Sequence, residues 1–198
     1  MNREIKIEII SDDDKTIKEI SRLHKNLFDK NHFTSIFSEE LLNTYLRNLL
    51  DASQFKYSAI LGDELVGYLI AGTDLNKVLT DFSRKYYLKL LFLLIKNPRF
   101  LYEKFNDLVG KIFLKNSKSV AEMRLFLIAA KRNENLTGVG KELIQRFEQD
   151  LKQNNISLYG LSVRKHNSNA IKFYLQLGFT EEFRTKKSIY FIKKINAE

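Results

Sequence analysis

Two glycines one residue apart, Gly138 and Gly140 in the stretch NLTGVGKEL, stand where an apolar run from Met123 to Ala130 gives way to a helical pattern. The first N–H groups of a helix have no intrahelical partner, and the aligned peptide dipoles put partial positive charge beside them. Glycine lets a bulky phosphate approach that backbone, so the junction can cradle a phosphate or pyrophosphate. The same pair serves equally for a tight turn with close packing of helix on sheet, and the stretch alone leaves both readings open. It lacks the Lys-Ser or Lys-Thr ending of a P-loop and the third glycine of a dinucleotide fingerprint.

About 30 residues downstream, GLSVRKHNSNAIKFYLQLGF joins an apolar strand pattern to Asn167, Ala170, Tyr174, Gly178 and Phe179. Together with NLTGVG, this segment resembles the GNAT superfamily of N-acetyltransferases. In that family the cofactor motif is Gln or Arg, two residues, Gly, one residue, then Gly or Ala. The second segment is similar to the family's N-x-x-A-x-x-x-Y-x-x-x-G-F pattern. One departure is plain: Asn135 stands where the family has Gln or Arg, so the long side chain at the pyrophosphate is missing and the burden falls on backbone N–H groups from Leu136 to Lys141.

The resemblance implies an α/β fold with a mixed, mostly antiparallel sheet, a central parallel βαβ pair, flanking helices and a helical insertion. It implies acetyl-CoA as donor, with no metal. Leu136, Thr137, Gly138, Val139, Gly140 and Lys141 would face the pyrophosphate. The pantetheine arm would lie between two splayed parallel strands ending at Ile128, Ala129, Ala130 and at Leu161–Val163. Small side chains at Ala129 and Ala130 leave room for it, although they also suit an ordinary core. By the same carry-over Asn167 would bond the arm and Tyr174 would stand near the sulfur.

The implied chemistry is attack of a neutral amine on a thioester carbonyl. The amine must lose a proton, the carbonyl oxygen must be stabilised, and the departing thiolate must be protonated or otherwise stabilised. Backbone N–H near Ala130 suits the oxyanion and the Tyr174 phenol suits the thiolate. With no cysteine in the chain, direct transfer is favoured over an acyl-enzyme. Where some relatives carry a basic carboxylate this chain has Arg124, which cannot act as a base. Glu122, two residues earlier, is a candidate base or a surface partner of Arg124; a water chain, His32 and Tyr190 are further options. Phe28, His32 and Tyr190 are expected to wall the acceptor site.

The rest of the composition narrows the setting. Without cysteine there are no disulfides or thiolate ligands, and the three histidines, His24, His32 and His166, show no metal-ligand spacing. His24 reads as a residue of a helix face. The first 20 residues lack an apolar leader and no stretch reaches the roughly 18 apolar residues of a membrane span, so a cytoplasmic protein is expected.

These residues need elements to position them. IKIEII alternates as a strand with Ile5, Ile7 and Ile9 on one side, and the segment after it, capped by Ser11 or an aspartate, repeats apolar residues at helical spacing. A second helix is expected from Glu39 to Leu50, then a hairpin turning at Gly62-Asp63. MRLFLIAAK, a helix through Val139 to Leu151, and ISLYGLSV read as strand, helix and strand, hence a parallel pair with a right-handed crossover. A short helix from Ser168 to Leu177 and two closing strands complete one domain spanning residues 1–198.

Residues 75–118 interrupt this order. The net charge of the chain is +9, and the segment from Asn76 to Lys118 carries ten Lys or Arg against three acids. Two amphipathic helices separated by Pro98 are predicted, YYLKLLFLLI and FLYEKFNDLVGKIF. Three roles fit: packing on the sheet or on a second copy in a homodimer, a lid over an anionic acceptor such as a nucleotide-linked amino sugar, or contact with an acidic membrane surface or nucleic acid. The favoured partner is a small-molecule amine.

Overall fold

The computed structural model describes residues 4–28, 32–100, 119–132 and 136–195. Strand β1 (Ile5–Ile9) leads to helix α1 (Asp14–Leu27), a 3-10 helix (Phe33–Ile36) and helix α2 (Glu39–Ala52). The hairpin β2 (Phe55–Leu61) and β3 (Glu64–Gly72) is followed by α3 (Leu75–Lys85) and α4 (Tyr87–Lys96). Then come β4 (Met123–Ala130), α5 (Val139–Gln153), β5 (Leu158–Arg164), α6 (Ser168–Gln176), β6 (Thr180–Arg184) and β7 (Ser188–Lys194).

The strands form one sheet in the order β1-β2-β3-β4-β5-β7-β6. Neighbours are antiparallel except β4 and β5, the parallel pair bridged by α5. Helices α5 and α6 bury Val139, Leu143, Phe147 and Tyr174 against one face. Helices α1 to α4 bury Ile20, Leu46, Leu49, Phe82 and Leu90 on the other. Each face of a sheet needs such a cover when its strands are apolar on both sides, as β3 and β4 are.

Local signals set the helix starts. Of the capping options, Asp13 is the N-cap of α1, accepting from the Thr16 N–H at 2.8 Å, while the Ser11 hydroxyl donates to Asp13. Ser38 caps α2 through the Leu41 N–H.

Two expectations change. Ile9 does not join Ile5 and Ile7 in the core; it ends the edge strand β1 and remains 67% exposed, whereas Ile10 turns inward at 2%. The insertion opens with α3, which the sequence reading did not include, and α4 matches the first of the two expected helices. The second expected helix lies almost wholly in residues 101–118, outside the described residues. Helices α3 and α4 pack through Leu75, Phe82 and Leu90 into the same cluster as α1 and α2.

Candidate functional site

Parallel pairing of β4 with β5 is confined to two residue pairs, Met123 with Tyr159 and Arg124 with Gly160. Beyond them Leu125–Ala130 and Leu161–Arg164 part company, although β4 stays paired to β3 and β5 to β7. Each strand therefore turns one unpaired edge toward a V-shaped gap. The register of β3 on β4 steps from Ile70 opposite Leu127 to Ala71 opposite Leu125, so Phe126 is an extra residue in a β-bulge. A bulge bends its strand and resets the alternation of side chains. Met123 and Leu125 pack with α5 and α6, as do Ile128 and Ala130, whereas Leu127 and Ala129 pack toward α1 and α2.

The bulge also decides where the backbone points. Lys131 N–H donates to Val66 O of the β3 side at 2.7 Å. Because N–H groups alternate sides along a strand, those of Ile128 and Ala130 point the other way, into the gap. A carbonyl oxygen seated in the V would meet them.

At the far end of β4 sits the glycine junction. Gly138 is the N-cap of α5 in the left-handed conformation, φ 88°, and a Cβ there would meet open space. The turn thus demands glycine for its backbone, and the space in front is open for a ligand. Gly138 O accepts the N–H groups of Lys141 and Glu142, so Lys141 contributes its side chain but not the backbone donor expected of it. Val139 and Gly140 begin the helix, and their N–H groups have no carbonyl one turn earlier inside it. Val139 and Leu136 are buried by their side chains, and Thr137 and Lys141 are exposed. Gly140 is the packing member of the pair: a Cβ there would lie 3.4 Å from Phe173 and 3.9 Å from Ala130. Asn135 lies outside the described residues.

Asn167 caps α6, its Oδ1 accepting from the Ala170 N–H at 3.1 Å. The cap occupies that oxygen, so what the side chain retains for a ligand is its amide N–H pair. Tyr174 is 6% exposed, its ring edge-on to Phe173 and Phe179. Burial pushes its phenol well above the ordinary tyrosine value.

Glu122 is not brought to this site. It is exposed, precedes β4, and lines a shallow hollow with Thr73 and Leu158 at the start of β4 and β5. From there to Ala130 is roughly 25 Å of extended chain at about 3.3 Å per residue, too far for proton transfer at the V. Its candidacy as base is withdrawn.

Tyr190 pairs with Ser162 across β5 and β7, on the face opposite α5 and α6. Phe183 stacks on it at 4.3 Å and the Arg124 guanidinium lies over its ring at 5.3 Å. Arg124 donates to Ser119 Oγ at 2.7 Å, and burial lowers its pKa. Ser162 and Arg164, on the same face, are exposed.

The connector holds a polar chain that sequence reasoning did not find. Tyr68 of β3 lies opposite Ala129, and its hydroxyl is 2.5 Å from His24 Nδ1. His24 Nε2 is 2.6 Å from Thr34 Oγ1, which is 2.7 Å from His32 Nδ1. Phe28 stacks on His24 at 4.0 Å and leans on His32 at 4.7 Å. Burial, and then the charge of His32, lowers the His24 pKa to about 3; burial, and then the charge of Arg164, lowers that of His32 to about 4. Both rings are neutral at physiological pH. Among the described residues no group of three or more His, Asp or Glu side chains is arranged to hold a metal ion.

An open V between parallel strands, with a glycine turn and helix N-terminus at its end, leaves backbone hydrogen-bonding groups free for an extended ligand that carries an anionic group. The acetyltransferase (GNAT) family model matches residues 18–179, and the chain belongs to that family. A comparison with curated proteins finds no match. Solved structures share the fold. PaiA N-acetyltransferase from Thermoplasma acidophilum in complex with coenzyme A has TM-score 0.59 at 17% identity over 96% of this chain and 99% of that one. The ribosomal-protein-S18-alanine N-acetyltransferase of Escherichia coli has TM-score 0.57 at 14% identity, covering 97% and 94%. An Arabidopsis thaliana protein in complex with the bisubstrate analogue CoA-Ac-MVNAL has TM-score 0.54 at 16% identity, covering 96% and 97%.

Proposed function

We propose that the protein transfers the acetyl group of acetyl-CoA directly to a primary amine of a small molecule, an amino sugar or nucleotide-linked amino sugar being one candidate class. The observation that carries this is the two-pair limit of β4–β5 pairing, which leaves a backbone-lined V ending at Gly138. The N–H groups of Val139 and Gly140 and the Lys141 side chain would hold the pyrophosphate, with the Asn167 amide on the pantetheine arm. Ile128 and Ala130 would donate N–H bonds to the carbonyl oxygen as negative charge grows there.

Tyr174 would donate its O–H to the departing sulfur. A phenol raised by burial holds its proton more tightly than a thiol does, whose ordinary pKa is about 8.5. Its role is therefore stabilisation of the nascent thiolate by a hydrogen bond, with the net proton coming from the amine through solvent. The neutral amine is selected from solution or stripped by water.

A second reading, acetylation of a protein amine, is favoured by the likeness to the alanine N-acetyltransferase and to the protein bound to a peptide analogue. Calorimetry with acetyl-CoA, followed by a screen of amino sugars, nucleotide-linked amino sugars, amino acids, polyamines and peptide amines for acceptor-dependent CoA release, separates the two. Binding without release for any acceptor would leave a CoA-binding module and defeat both.

A further inference from the structure

Helix α4, YLKLLFLLIK, is apolar around most of its girth. Its inner side joins the cluster built by α1 and α2 through Leu90, which is buried, with Tyr86 and Leu93 packed beside it. Leu88 and Ile95, seven residues apart, lie on the side opposite those three, where a solvated helix carries its polar residues. They are 76% and 62% exposed, and Tyr87 and Phe92 to either side of them are 60% and 57% exposed. Single apolar residues are ordinary on a surface, but four on one face of one helix form a patch that gains by leaving water.

Lysines border that patch. Lys89 and Lys96, also seven apart, run along its Phe92 side, and Lys96 Nζ lies 4.3 Å from the Phe92 ring centroid. Lys89 Nζ is 3.9 Å from Glu40, an exposed pair that holds the lysine only weakly. Between Leu75 and Arg99 the chain has six Lys or Arg against one acid, Asp81.

The two properties together select the occupant. A stripe of Leu, Ile and Phe bordered by lysines matches a bilayer surface that bears anionic lipid: the apolar side chains enter the acyl boundary while the ammonium groups reach the headgroup phosphates. Nucleic acid would satisfy the lysines and leave Leu88 and Ile95 without a partner. A second copy on the same face would bring two rows of like charge together.

We propose that α4 docks the protein on an anionic membrane surface, lying in the plane of the interface with Leu88, Phe92 and Ile95 inserted. Helix α5, which Gly138 opens, packs on the opposite face of the sheet, so the docked helix and the glycine junction belong to different layers. The inference stands independently of acetyl transfer.

The chain has no tryptophan, so Phe92→Trp supplies a single fluorescent reporter. Vesicles of phosphatidylcholine alone, and of phosphatidylcholine with an equal part of phosphatidylglycerol, are titrated into this variant and sedimented with the wild type. With the mixed vesicles the emission should shift to the blue and be quenched by lipids brominated in the acyl chain, and sedimentation of the wild type should weaken as salt is raised. Leu88→Ser with Ile95→Ser, or Lys89→Gln with Lys96→Gln, should each weaken sedimentation at least about tenfold. All four positions are exposed, so melting temperatures should hold, and sedimentation of the wild type decides the matter without them. Absent binding to mixed vesicles, or equal binding to neutral ones, overturns the proposal. An emission already blue and indifferent to vesicles would give the face to residues 101–118, and one that shifts with protein concentration in the absence of lipid would give it to a second copy; either overturns the proposal too. Calorimetry should find the same CoA affinity in the wild type and in the doubly serine-substituted variant, so failure of the membrane test and failure of the acetyl-transfer reading are told apart.

Discussion

Nη1 of Arg124 lies 2.5 Å from the point where a Cβ on Gly160 would sit, so the guanidinium crosses β5 at the last residue pair that β4 and β5 share. The bare backbone of Gly160 is what lets Arg124 reach Ser119 and lie over Tyr190. The apex of the V is therefore closed by a side chain laid over a glycine, and strand separation begins one residue later.

Gly160→Ala should destabilise the fold by about 1–3 kcal/mol, the usual cost of overpacking. The arginine tip can swing away, but Phe191 O at 2.9 Å and the Ala121 Cβ at 3.1 Å are fixed. Urea unfolding of Gly160→Ala, Arg124→Ala and the double variant measures both parts. A cost that disappears entirely once Arg124 is removed would assign it all to the guanidinium; a residual cost is expected from the backbone clash.

The glycine junction, the βαβ unit and the Asn167 to Phe179 pattern were legible because each is written in a continuous run of chain whose periodicity or spacing shows without any knowledge of distant contacts. The bulge at Phe126 was not. MRLFLIAA is apolar at almost every position, so a slip in the two-residue period leaves no mark in the sequence. The Tyr68–His24 bond joins residues 44 apart, a relationship set by the packing of α1 over β3. Helix α3 did carry a signal, Leu75, Val78, Leu79 and Phe82 at helical spacing, overlooked because the second apolar run drew the helix start to Tyr86.

Gly138 separates backbone strain from charge. Asparagine tolerates the left-handed conformation better than most residues, so Gly138→Asn should cost no more than about 1 kcal/mol. Gly138→Glu meets no neighbour either, yet puts a carboxylate in front of the first helix N–H groups. Acetyl-CoA affinity by calorimetry should fall at least about tenfold in the glutamate variant relative to the asparagine one, a difference of about 1.4 kcal/mol. Equal affinities at equal melting temperatures would move the phosphates elsewhere.

Tyr174→Phe keeps the ring contacts with Phe173 and Phe179 and deletes one oxygen. Turnover should drop on the order of 10²-fold if the hydroxyl stabilises the leaving sulfur. Acetyl-CoA affinity should change little, because that hydrogen bond strengthens only as negative charge develops. A variant with wild-type turnover would strip Tyr174 of the role.

His24 and His32 make stability depend on pH in a defined window. Their folded-state values, about 3 and about 4, lie below the unfolded value near 6.5. As pH falls from 6.5 toward 4 the unfolded chain takes up protons that the folded chain refuses. The unfolded state then binds more protons, so the free energy of unfolding rises with pH across this range. The contribution is complete above about 6.5 and is lost progressively on acidification. Thr34→Val tests the coupling of the two rings: nearly the same shape, with the hydroxyl between His24 Nε2 and His32 Nδ1 gone. It should cost about 1–3 kcal/mol at pH 7.5, since two buried ring nitrogens lose their partner. If the Thr34 hydroxyl donates to His32 Nδ1 and so favours the neutral ring, the NMR-measured pKa of His32 should rise above the wild-type value once it is gone. Urea unfolding at pH 4.5, 5.5 and 7.5 should then show a shallower slope in Thr34→Val than in the wild type. An unchanged His32 titration would mean that burial and Arg164 alone hold the ring neutral.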